Sequence, residues 1–157
     1  MSGDCSDRCE APTRGEQAAF CPECAQKGKP VSTLTVKSLA REHRRVLPGS
    51  YFFCRMPDCD VVYFSGAARF GKRDVKVRVG VKERQDPIPL CYCFDYTRAD
   101  IRQDIESQGA TDILERIKAE VKAGFCACAA KNPSGDCCLG DITRAIQQAK
   151  ALRVAVP

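Results

Sequence analysis

The sequence predicts an α+β chain in which a small β-rich lobe with one helix is followed by a helical lobe. Three observations carry this reading. Short apolar runs alternate with turns between residues 51 and 81, as half-buried strands do. From residue 97 onward the apolar side chains recur instead at helical spacing. The cysteines, 12 in 157 residues, fall into two separated constellations, one for each part.

Charge divides the chain further. Residues 1–17 carry two basic and four acidic side chains, residues 18–88 fourteen and seven, and residues 89–157 nine and nine. The first segment, with Gly3, Pro12 and Gly15 and almost no large apolar residue, reads as a mobile tail. In 18–88, Thr35 is expected to cap a helix whose inner face is Val36, Leu39, Ala40, His43 and Val46, with His43 a core or boundary residue. Strands are expected at Tyr51–Phe53, at 60–64, and at Val75, Val77, Val79 and Val81. Pro87 and Pro89 end the pattern and set the boundary before the second lobe. In 89–157, Thr97 caps a helix with Ile101 and Ile105 inward and Gly109 closing it. Thr111 is expected to cap a second over 112–123, with Ile113, Leu114, Ile117 and Val121 inward and Gly124 as its stop. A third carries Cys138, Ile142, Ala145, Ile146 and Ala149 on one face.

One count removes several chemistries. The single histidine, His43, excludes three-histidine zinc hydrolases, Rieske centres and two-histidine zinc fingers, so any metal site is all-thiolate. No phosphate loop, dinucleotide fingerprint or nucleophile elbow is present. No apolar run approaches the roughly 18 residues of a membrane span, so no membrane insertion is expected. The polar start lacks the features of a secretory signal, which points to the cytoplasm, where dense cysteines bind metal more often than they pair.

Cys21-Pro-Glu-Cys24 and Cys54-Arg-Met-Pro-Asp-Cys59 are two tight cysteine turns on separated elements. Each offers two sulfurs from one small loop, the arrangement that cages tetrahedral zinc. A closed four-thiolate site leaves no open position for substrate, so its role is structural. The second constellation is Cys91-Tyr-Cys93 with Cys126-Ala-Cys128 and Cys137-Cys138, six thiols for a site of four. It resembles bacterioferritin-associated ferredoxin, whose 2Fe-2S cluster is held by a Cys-x-Cys before the first helix and a cysteine pair after the second. Cys138 shares the buried face of Ile142 and Ile146 and is preferred to Cys137. Spacing does not decide between Cys126 and Cys128; Cys126 is taken with Cys91, Cys93 and Cys138, leaving Cys128 and Cys137 as alternatives.

Cys21-Pro-Glu-Cys24, the 53–64 run Phe-Cys-Arg-Met-Pro-Asp-Cys-Asp-Val-Val-Tyr-Phe, Val77-Arg-Val-Gly-Val-Lys-Glu83, Cys91-Tyr-Cys-Phe94 and the 132–141 run Asn-Pro-Ser-Gly-Asp-Cys-Cys-Leu-Gly-Asp together resemble the amino-terminal domain of CopZ-type copper chaperones. The resemblance spans about residues 18 to 152. It implies a Zn(2+) lobe joined to a 2Fe-2S lobe, and one-electron transfer that reduces Cu(II) to the Cu(I) that soft thiolates select. The implied partners are a copper chaperone or copper transporter and an unidentified electron donor. Those chaperones continue into a Met-x-Cys-x-x-Cys domain not found before Pro157, so redox support of a separate carrier or of another metal pathway is expected as much as copper delivery. Cys5 and Cys9 offer a two-thiolate copper site, or are simply free thiols. A storage or sensing module is the alternative function. A nucleic-acid-binding zinc protein would use Arg41, Arg44, Arg45 and Lys37 with Lys76, Arg78 and Lys82 on one side of a strand, but leaves the second constellation idle.

Overall fold

The computed structural model describes residues 19–66 and 68–155; the expected tail, with Cys5 and Cys9, lies outside them. Four strands form one antiparallel sheet in chain order: β1 (Lys29–Val31), β2 (Tyr51–Phe53), β3 (Val61–Phe64) and β4 (Arg69–Gly71). β1 lies at an edge, the position in a sheet where a proline such as Pro30 is tolerated. Lys29 pairs with Phe53, Phe52 with Phe64, and Val61 with Gly71, with a bulge between Val61 and Tyr63. β3 is buried along its length. Val62 and Tyr63 join Val36, Tyr51, Phe53, Phe70, Val75 and Val79 in one core, while Val61 and Phe64 pack against cysteines.

The helix of this part is shorter than its spacing suggested. α1 (Thr33–Leu39) is capped by Ser32, whose hydroxyl accepts the Thr35 amide at 3.1 Å; Thr35 itself is buried. The helix stops because Ala40 bridges to Val75, with Arg41 N donating to Asp74 O and Lys76 N to Leu39 O, each at 2.8 Å. His43 falls in a 3-10 turn, His43–Arg45, and is exposed rather than at a core boundary.

The valine run is not a strand. Val75 and Val79 are buried four residues apart, Val81 is exposed, and 3-10 turns occupy Lys72–Asp74 and Gly80–Lys82. The basic stripe expected there therefore does not form. Lys76 donates to Ser38 O, Arg78 pairs with Glu83 at 2.9 Å, and Lys82 points inward. Arg45 pairs with Asp74 and lies over the Phe70 ring.

The second part opens with a two-stranded ribbon, β5 (Pro89–Cys91) and β6 (Tyr96–Thr97). α2 (Arg98–Gln108) begins with Thr97 and Asp100 exchanging the two hydrogen bonds of a capping box. It ends on Gly109 at φ +79°, a left-handed position that glycine reaches without strain. α3 (Ile113–Lys122) starts at Asp112, while the Thr111 hydroxyl accepts the Ile113 amide and donates to Asp104. A single turn, α4 (Cys128–Lys131), precedes α5 (Leu139–Ala155). Ile101, Ile105, Ile113, Ile117, Ile142 and Ala145 close a second core around Cys91 and Cys138. The result is an α+β fold with a small β-rich amino-terminal lobe. Among the described residues no helix is long and apolar enough to cross a membrane.

Candidate metal centres

The first centre lies under the sheet. Ala25 at φ +59° turns the chain so that Ala25 N reaches Cys21 O and Cys21 N reaches Gln26 O, folding Cys21 and Cys24 into one loop. Cys54 follows β2, its amide donating to Val62 O at 2.9 Å, and the Met56–Cys59 turn brings Cys59 back beneath it. The sulfurs converge: Cys21 Sγ stands 3.8 Å from Cys59 Sγ and Cys24 Sγ 3.7 Å from Cys54 Sγ, and all four lie within 4.8 Å of one another. Four sulfurs at about 2.3 Å from a tetrahedral centre are separated by about 3.8 Å, so the cage has the size of a zinc site. Cys21, Cys54 and Cys59 are buried and Cys24 is half-buried.

Two thiols of this cage resist ionisation while no cation is present. Burial pushes the Cys59 thiol up to about 12, and burial likewise raises Cys54 against a backbone amide of Met56 and the Lys82 charge. Cys24 alone moves down: burial opposes its ionisation, but the Gln26 amide and neighbouring thiols outweigh it. A metal entering here therefore displaces protons, as structural zinc does. Lys82, only 3% exposed, sends its Nζ to Met56 O at 2.8 Å and Cys59 O at 2.9 Å. Its role was invisible in the sequence, where it looked like one more surface cation.

The second constellation assembles as two pairs. Cys93 Sγ stands 3.7 Å from Cys128 Sγ and accepts the Ala127 amide at 3.2 Å. Cys91 receives a hydrogen bond from the Cys138 thiol, the largest influence lowering it to about 6 against burial, with the Phe94 and Cys93 amides helping. Cys138 is correspondingly raised, by that bond and by burial. Burial and then Cys93 push Cys128 up to about 12. Cys126, taken from the sequence as the third ligand, is exposed, as is Cys137; the sulfur facing Cys93 is that of Cys128. Among the described residues only the first cage gathers three or more ligand atoms within 4.8 Å of one another.

Comparison with known proteins follows the same division. The zf_CopZ family, described as a zinc binding domain, matches residues 18–76. The copper chaperone CopZ of Archaeoglobus fulgidus is 39% identical over 119 residues, which are 75% of this chain and 57% of that protein. The chain thus spans little more than half the length of that curated relative. The X-ray structure of the Archaeoglobus fulgidus CopZ N-terminal domain superimposes with a TM-score of 0.64 at 36% identity, covering 80% of this chain and 95% of that one. Residues 18–76 are a zinc-binding domain of the CopZ type with a four-cysteine cage, and the chain is a relative of the CopZ N-terminal domain.

Proposed function

We propose that this chain is a redox protein of copper handling, with structural zinc on Cys21, Cys24, Cys54 and Cys59 and a 2Fe-2S cluster on Cys91, Cys93, Cys128 and Cys138. The lobes meet near residue 88. The observation that carries the second site is its division into two thiol pairs. A single ion needs one cage, whereas a binuclear cluster takes two thiolates on each iron. The donor set fits: all four are sulfur, and Cys91 and Cys138 are buried in an apolar core.

When bound, such a cluster supplies a one-electron couple. The chain's own residues hold it and tune it. The Ala127 amide on Cys93 Sγ stabilises negative charge on that sulfur, which favours the reduced state. Held on these cysteines and reduced by an external one-electron donor, the cluster would supply the single electron that takes Cu(II) to Cu(I), the ion that thiolate carriers accept, and would itself return to the oxidised state. That the relative is a copper chaperone supports copper as the cargo and a copper chaperone or transporter as the partner. Neither pair needs Cys5 or Cys9, which lie outside the described residues and stand as either a two-thiolate copper site or free thiols.

Metal analysis of the anaerobically purified full chain tests the reading. Two irons, two sulfides and one zinc per chain are expected, with visible absorption that bleaches on dithionite and returns as Cu(II) is converted to Cu(I). A colourless protein holding zinc alone would reject the redox role and leave a storage or sensing module.

A further inference from the structure

Both halves of the second cysteine site are tied to the zinc-binding lobe by tyrosine hydroxyls. Tyr92, between Cys91 and Cys93, donates from its hydroxyl to Arg78 O at 2.7 Å and accepts the Gly80 amide at 2.9 Å. That 3-10 turn, Gly80–Lys82, is itself anchored under the zinc cage, because Lys82 holds Met56 O and Cys59 O. The other half hangs on the 132–136 loop that joins Cys128 to Cys138. Tyr63, fully buried in β3, donates to Pro133 O at 2.6 Å. Lys29 of β1 donates to Ser134 O at 2.7 Å and pairs with Asp136 at 2.5 Å.

The loop is built to receive these contacts. Asn132, buried, donates to Asp136 O and accepts the Ser134 amide and hydroxyl, which fixes the turn internally. Gly135 sits at φ +73°, and a Cβ there would stand 3.1 Å from Thr35 Oγ1 of α1, so the loop lies directly on the first lobe's helix. The four cysteines do not share one element: Cys91 ends β5, Cys93 follows it, Cys128 begins α4 and Cys138 precedes α5. Within the second lobe the core around Cys91 and Cys138 and the Ala127 amide on Cys93 Sγ join the two strings, and their common attachment to the first lobe adds a second set of contacts to both.

We propose that the zinc-binding lobe is the template for the second site, with Tyr92 and Tyr63 as the positioning residues that hold Cys91 and Cys93 in register with Cys128 and Cys138. This rests on the reading of those four cysteines as cluster ligands. Neither tyrosine touches the metal; each acts through the backbone that carries a ligand. Removing the buried Tyr63 hydroxyl leaves the Pro133 carbonyl unpaired, removing the half-buried Tyr92 hydroxyl frees the Gly80 amide and the Arg78 carbonyl, and the ligand string each held loosens.

The test compares Tyr63→Phe, Tyr92→Phe and their double variant in the full chain, with Tyr51→Phe as control. Tyr51 also bonds one backbone position through its hydroxyl, the Leu47 amide at 3.0 Å and carbonyl at 3.1 Å, but wholly within the first lobe. Iron release to a chelator, visible circular dichroism and zinc content are read together. Each single variant is expected to release iron about 5- to 10-fold faster with an altered dichroism band and one zinc retained, the double variant faster still, and the control within about twofold of wild type. Lys29→Met, removing only the partly exposed end of the latch, provides a milder variant should Tyr63→Phe fold poorly; about twofold faster release is expected. Iron release no faster in Tyr63→Phe and Tyr92→Phe than in Tyr51→Phe overturns the template. A wild-type chain with no iron or sulfide instead defeats the cluster reading, and the template with it.

Discussion

Lys82 Nζ lies 2.9 Å from the carbonyl oxygen of Cys59, one of the four cysteines of the zinc cage, on a side chain only 3% exposed. A buried cation persists only where its surroundings compensate it, and here two carbonyls of the 56–59 turn do so. Four thiolates around a divalent ion leave the site with a net negative charge, which the ammonium offsets from beneath. Lys82→Met removes the charge and strands both carbonyls. The expected loss is about 1–3 kcal/mol of stability. Zinc should pass to a chromogenic chelator at least tenfold faster than from wild type, measured by stopped-flow absorbance.

Asp86 gives the pH dependence. The Arg98 guanidinium hydrogen-bonds its carboxylate, and this outweighs partial burial; with Arg102 also nearby, the carboxyl is held below its ordinary value of 3.8. A depressed carboxyl contributes stability fully above the unfolded value, and that contribution is lost as pH falls through the folded one. The groups are partly exposed, so Asp86→Asn is expected to cost less than about 1 kcal/mol near pH 7. The difference from wild type should shrink below pH 3.8 and at high salt, as followed by chemical denaturation across a pH series.

Gly109 closes α2 in the left-handed region at φ +79°, and the Arg153 guanidinium of α5 occupies the space its Cβ would take. Gly109→Ala therefore strains the backbone and displaces a flexible side chain. The backbone cost is about 1 kcal/mol, which corresponds to a fall in Tm of about 2–4 °C for a chain of this size. A thermal melt that matches wild type would contradict this account of the helix end.

Elements specified by neighbouring residues were legible in the sequence, and those specified across the chain were not. α2 was readable from Thr97, Ile101, Ile105 and Gly109 because cap, buried stripe and stop all lie within one segment. The thiols of Cys21, Cys24, Cys54 and Cys59 were grouped correctly because each turn presents two sulfurs by itself. The end of α1 was missed because Ala40 is claimed by a backbone bridge to Val75, far along the chain. The same bridge and the turns on either side keep the valines near 75–81 from pairing as a strand, although their alternation suggested one. Lys82 and Tyr63 carry no local signal at all; only the folded arrangement shows their partners.

The choice between Cys126 and Cys128 turns on the backbone after Gly124, which at φ +85° ends the α3 segment and sends the chain back toward β5. The Ala127 amide then meets Cys93 Sγ and Cys128 Sγ comes within 3.7 Å of it, while Cys126 faces solvent. Cys128→Ser should therefore lose iron and visible absorption, whereas Cys126→Ser should keep both at the wild-type level. Alkylation provides a second check, because exposed thiols react and ligating, buried ones do not. Among the described cysteines of the metal-loaded protein, Cys126 and Cys137 should be modified first by iodoacetamide, with Cys91 and Cys138 protected, as located by peptide mass spectrometry. Loss of the cluster in Cys126→Ser with retention in Cys128→Ser would reverse the assignment, and would mean that the chain between Gly124 and Asn132 rearranges when the metal binds.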